Sequence, residues 1–138
     1  MKEDTAMWND NVHTDAILSE FEPVTEEQVA KIIKNGPSKS CPLDPIPTWL
    51  IRQCQLVTIP VITNIVNLSL SEGVMPDDLK FANLLPNVKN RSLDVEILKN
   101  QHPLSNLPFV SKVIEKVVDD QTTIHMTENN FHDIRQSA

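Results

Sequence analysis

Three features of the sequence predict an α+β fold, mainly helical with one short β-hairpin. A first segment carries helix signals at both ends, from Thr25 to Gly36-Pro37. A second has apolar pairs at 109/110, 113/114 and 117/118, a stripe at four-residue spacing. Between them lie two short, proline-bearing runs, 81–88 and 103–107, joined by a polar stretch. Helical spacing marks the first two segments as amphipathic helices, and short runs bounded by breakers mark the last two as paired strands.

Residues 1–20 are polar, acidic and weakly periodic. They read as a flexible leader with a short helical turn around 15–20, and 21–138 reads as the domain proper. Thr25 and Gln28 form a capping box, in which each side chain satisfies an orphan backbone N–H of the first turn. Val24 and Val29 stand at the positions of a hydrophobic staple. Val29, Ile32 and Ile33 supply one apolar face, and Gly36-Pro37 closes the helix. Four prolines at 37, 42, 45 and 47 exclude a long helix or central strand there. A short helix is expected over 48–53, then a longer one over 57–72 with Pro60 in its first turn. Gly73 and Pro76 stop that helix. The last helix is expected over about 109–127, its stripe fading at Asp119-Asp120.

The chain of 138 residues suffices for one small domain. Aromatics make up only 4% and Tyr is absent, so a core must rest on Ile, Val and Leu. No apolar run is long enough for a transmembrane helix, and Met1-Lys2-Glu3-Asp4 lacks the start of a secretory signal. Cys41 and Cys54 lack metal-ligand spacing and read as reduced, buried or half-buried thiols. An intracellular protein, nuclear or cytoplasmic and not secreted, fits these features. A net charge of −7 argues against a simple nucleic-acid binder, because phosphate affinity rests on Lys and Arg. The charge is uneven: residues 1–36 carry a net of −5, residues 80–116 a net of +3.

Four motifs occur in order: Phe21-Glu22-Pro23-Val24-Thr25-Glu26-Glu27, then Ser38-Lys39-Ser40-Cys41-Pro42-Leu43-Asp44-Pro45-Ile46-Pro47-Thr48-Trp49-Leu50, then Asn64-Ile65-Val66-Asn67-Leu68-Ser69-Leu70-Ser71, and last the run from Ile97 through Lys99-Asn100-Gln101-His102-Pro103-Leu104-Ser105-Asn106-Leu107-Pro108-Phe109 to Val118. Together they resemble the N-terminal extension and fingers of reverse transcriptases from jockey- and CR1-type non-LTR retrotransposons. The resemblance implies an RNA-directed DNA polymerase, a template-primer of RNA and DNA, and Mg²⁺ as the parent family's cofactor. It also implies that the metal-binding aspartates of the palm come after Ala138, so the chain is expected to be a truncated, inactive fragment with no catalytic residue or metal site of its own.

The family's fingers offer a Lys from the first strand and an Arg from the second to the incoming triphosphate. By resemblance these positions are Lys89 and His102, a degraded nucleotide-binding pair, since a histidine does not form the bidentate phosphate fork of an arginine. Asn90 replaces a second lysine and Gln101 a tyrosine. Asn87 replaces a leucine expected to be packed, a costly exchange, and Thr122 replaces a leucine on the last helix. Asp77-Asp78 and Asp119-Asp120 read as solvated surface acids; His13, His125 and His132 have no ligand spacing. Cys41 and Trp49 read as structural, and Asp44 as an Asx-turn or the cap of the helix that follows it.

Such departures degrade functional positions while scaffold motifs survive, as in a decayed element copy. The alternative is a domesticated, non-catalytic module that binds nucleic acid or protein. Helices with apolar faces at Val29/Ile32/Ile33 and Val113/Ile114/Val117/Val118 are expected to lack partners without a palm, giving weak folding cooperativity and self-association through those faces.

Overall fold

The structure, a computed structural model, describes residues 16–88, 92, 94 and 96–131. Four helices and a two-stranded sheet follow one another: α1 (Glu26–Asn35), α2 (Thr48–Gln53), α3 (Gln55–Glu72), β1 (Asn83–Val88), β2 (Gln101–Asn106) and α4 (Phe109–Glu128). Single 3₁₀ turns occupy Asp77–Leu79 and Leu98–Asn100.

Helix α1 begins where its capping box requires. The Thr25 hydroxyl accepts from Gln28 N, and the Gln28 side chain accepts from Thr25 N at 2.8 Å. At its other end Gly36 is extended (φ −70°, ψ 171°), the conformation that a following proline imposes. Arg52 of α2 donates to the carbonyls of Gly36 and Pro37 at 2.6 and 3.3 Å. A guanidinium thus meets the carbonyl end of α1, where the helix dipole favours positive charge.

Helix α3 starts two residues earlier than the sequence reading, so Pro60 is its sixth residue rather than part of the first turn. The amide that Pro60 lacks would have bonded Leu56 on an exposed side of the helix, where water can satisfy the freed carbonyl. Just before it, the Thr58 hydroxyl lies 2.9 Å from Ile51 O and 3.1 Å from Cys54 O, stitching α3 to the end of α2. The helix ends in a Schellman motif: Gly73 adopts φ 64°, Val74 N donates to Ser69 O and Gly73 N to Leu70 O. Asn130 (φ 54°) closes α4 in the same way, with Phe131 N donating to Met126 O.

The core lies where α1, α3 and α4 meet. Val29, Ile33, Ile62, Val66, Phe109, Val113, Ile114 and Val117 are buried there, with Val24 and Ile51 at its margins. The two faces expected to lack partners are therefore turned toward one another and toward α3. The expectation that these faces lack partners is corrected for Val29, Ile33, Val113, Ile114 and Val117, which are buried in the three-helix core, while Ile32 and Val118 stay partly buried at its edge.

The hairpin is antiparallel, with Leu85 opposite Leu104, Pro86 opposite Pro103 and Asn87 opposite His102. Two residues without amide hydrogens can face each other without loss only at a non-hydrogen-bonded pair, where both nitrogens point outward. Both edges thus lack a donor at mid-strand, which obstructs pairing with a third strand. Leu84, Leu85 and Leu104 are exposed. Strand bounds differ from the expected 81–88 and 103–107, and residues 16–20 contain no helical turn; Asp15 lies outside the described residues. Asp77-Asp78 opens only the 3₁₀ turn.

Candidate functional site

His102 sits in β2 with its side chain exposed, facing Asn87 across the hairpin. Lys89, the other position assigned to phosphate contact, lies outside the described residues. Asn87 is exposed, which corrects the expectation of a packed position: a carboxamide in water carries no burial cost. Nearby cations are partly engaged. Lys80 donates to Asp77 at 2.7 Å, and Lys112 donates to the Asn106 side chain at 2.7 Å from the base of α4. Asp77 is held below the usual carboxylate range by its hydrogen bond and charge interaction with Lys80.

The hairpin joins the helical body through the proline-rich loop between α1 and α2. There the Cys41 thiol donates to Asn106 O at 3.2 Å, and Asp44 accepts from Cys41 N at 2.8 Å and from Phe109 N at 2.7 Å. Asp44 thus caps α4, which lies 65 residues away, and not the helix that follows it. Ser40 takes that second task, accepting from Thr48 N at 2.9 Å. Cys41 is buried as expected, whereas Cys54 is exposed and Trp49 is 58% exposed, because both lie on outward positions around α2.

A feature that the sequence reading missed is a groove of about 590 Å³ between α1 and α4. Its floor is apolar, from Val24, Ile32, Phe109, Val113 and Val117, and Lys31, Lys112 and Lys116 stand on its rim. Lys116 pairs with Asp120 at 2.8 Å and Asp119 at 3.2 Å. Hydrogen bonds from Asp120 and then Asp119 raise its ammonium above the usual lysine value. The available signal was the lysine pair four residues apart on α4, which is legible as a rim only once α1 is placed opposite.

Among the described residues no three His, Cys, Asp or Glu side chains gather as a metal site. The two adjacent aspartate pairs do not fit Mg²⁺ either: Asp77 is engaged by Lys80, and Asp119 and Asp120 by Lys116. His125, half-buried, meets Phe131 edge-on at 5.8 Å; His13 and His132 lie outside the described residues. No helix among the described residues is long and apolar enough to cross a membrane. No protein-family model and no curated protein matches the chain.

Proposed function

We propose that this chain is the N-terminal and fingers portion of a retrotransposon-encoded RNA-directed DNA polymerase of the jockey/CR1 type, a truncated fragment without catalytic activity of its own. One observation carries the reading beyond the motifs themselves. Residues that the resemblance singles out separately make several of the long-range hydrogen bonds of the fold. Val24 of the first motif bonds Asn67 of the third at 2.8 and 2.9 Å, and Asp44 of the second bonds Phe109 of the fourth at 2.7 Å. Motifs that hold one another in place are expected of a shared scaffold and not of accidental similarity. The exposed His102 in place of an arginine supports decay of the nucleotide contact.

A domesticated binding module is the second reading, favoured by the groove between α1 and α4 with its lysine rim. Sequencing the complete transcript separates the two. Palm-coding sequence with a YADD-like motif downstream of codon 138, intact or frameshifted, is the expected result. An unrelated open reading frame fused in its place would overturn the fragment reading.

A further inference from the structure

Helix α3 carries no Asp, Glu, Lys or Arg from Gln55 to Ser71; its one charge is Glu72 at the last position. It nevertheless buries only one side. Ile62, Val66, Ser69 and Leu70 face the core. At 3.6 residues per turn the opposite face presents Val57, Pro60, Val61, Asn64, Leu68 and Ser71, all exposed. Val57 is 70%, Val61 55% and Leu68 54% exposed. The other long helices behave differently: α1 turns Glu26, Glu27, Lys31 and Lys34 to solvent, and α4 turns Glu115, Lys116, Asp119 and Asp120. An apolar, uncharged outer face over five turns is the pattern of a helix covered on both sides.

We infer that this face binds a second copy of the chain, the two α3 helices packing antiparallel about a two-fold axis beside Asn64. The absence of charge decides the kind of occupant. A partner presenting Lys, Arg, Asp or Glu here would strip those groups of water with nothing to pair them. The occupant must be uncharged over the same length, and α3 is itself such a face. A two-fold contact sets one patch against its own copy.

Asn64 lies near the middle of the helix. An axis beside it brings two carboxamides together, each with a donor and an acceptor for the other. The same axis sets Val57 of one copy level with Ser71 of the other and Pro60 level with Leu68, with Val61 one residue along the helix from Leu68. One polar pair in an apolar seam fixes the register, as buried asparagines do in coiled coils. Antiparallel helices also oppose their dipoles favourably. The face has no cationic fringe of the kind that holds an amphipathic helix on an anionic bilayer.

Sedimentation equilibrium of the full chain tests the inference. The mass should rise from 15.6 kDa toward twice that value across the micromolar range. Val61→Glu and Leu68→Glu should each hold the monomer mass with unchanged helical circular dichroism, since both side chains point outward. In a Cys54→Ser background, oxidation should link Val61→Cys chains to Leu68→Cys chains when the two are mixed. Monomer mass for the parent throughout, or dimerisation of both glutamate variants, would overturn the interface. Val61→Cys chains linking to each other in preference would overturn the antiparallel order, and binding of a monomer to phosphatidylserine vesicles would assign the face to a membrane instead.

Discussion

Asn67 holds Val24 by both of its backbone groups: its side chain accepts the Val24 N–H at 2.8 Å and donates to the Val24 carbonyl at 2.9 Å. Gln121 does the same for Glu22, accepting from its N–H and donating to its carbonyl, both at 2.8 Å. Two side-chain amides, one on α3 and one on α4, thereby serve the extended segment before α1 as a neighbouring strand would. This sets the approach of the chain to the capping box and puts Val24 over the core.

Asn67→Ala should therefore destabilise the fold by about 1–3 kcal/mol, because it leaves the N–H and carbonyl of a buried residue unpaired. Gln121→Ala, on an exposed pair, should cost less, about 0.5–1 kcal/mol. Urea midpoints of the two variants against the parent measure the difference, and equal losses would mean that burial is not what separates them.

Asp44 joins the loop before α2 to the first turn of α4, so its removal acts at two places. Asp44→Ala should cost about 1.5–3 kcal/mol, the range for backbone hydrogen bonds to a charged acceptor. Asp44→Asn keeps one acceptor oxygen and should recover part of the loss. Amide exchange would show where the loss falls, with faster exchange at the start of α4 and little change at α1.

The elements that could be read from the sequence were those whose causes are local. Thr25 and Gln28 are three residues apart, Gly73 acts on its own helix end, and the stripe 109/110, 113/114, 117/118 needs only helical spacing. Asn67, Gln121, Ser40 and Arg52 were not legible as positioning residues, because each acts on backbone far along the chain and nothing in its neighbours marks it. Asp44 reads locally as an Asx-turn or a cap of the nearer helix, and its partner in α4 is hidden for the same reason. A proline within each short run reports only a missing amide hydrogen; that Pro86 and Pro103 stand opposite one another, which removes the penalty, is visible only in the register. The apolar stripes of α1 and α4 were read correctly as stripes. Their mutual burial could not be read, since a sequence reports which face is apolar and not what lies against it.

Core substitutions should accordingly be costly. Val66 and Ile33 are fully buried. Ile33→Ala should destabilise by about 2–5 kcal/mol through lost transfer energy and the cavity left behind. Ile17→Ala, at a position 76% exposed ahead of α1, should change stability by less than about 0.5 kcal/mol. Thermal melts of the two variants at one protein concentration make the comparison, and similar shifts would mean that the three-helix core does not set the stability.

The ion pairs of Lys116 should respond to pH in a defined direction. Asp120 and Asp119 raise the lysine above its ordinary value of 10.5. Their contribution is thus fully present below that value and lost as pH climbs through the raised one. All three side chains are half-exposed or more, so salt should weaken the effect. The difference in urea midpoint between the parent and Lys116→Ala should be small near neutrality and vanish at strongly alkaline pH. A difference that grows with pH would reverse the assignment.

The proposed fingers would meet nucleic acid through the hairpin. Binding of an RNA–DNA hybrid should be weak, of order 10⁻⁴ M at physiological salt, since few cations on the hairpin side oppose a net charge of −7. His102 is exposed on β2. His102→Arg should strengthen binding by adding one guanidinium that can grip a phosphate with two parallel bonds at every physiological pH. One added phosphate contact steepens the dependence of log K on log salt by about 0.7–0.9. Lys89→Ala should weaken binding and flatten the slope by a similar amount. A fluorescence titration of a labelled hybrid at several salt concentrations reads both quantities. Tight binding by the parent, or no response of the slope to either substitution, would mean that the nucleic-acid surface lies away from the hairpin, with the lysine-rimmed groove between α1 and α4 the next place to substitute.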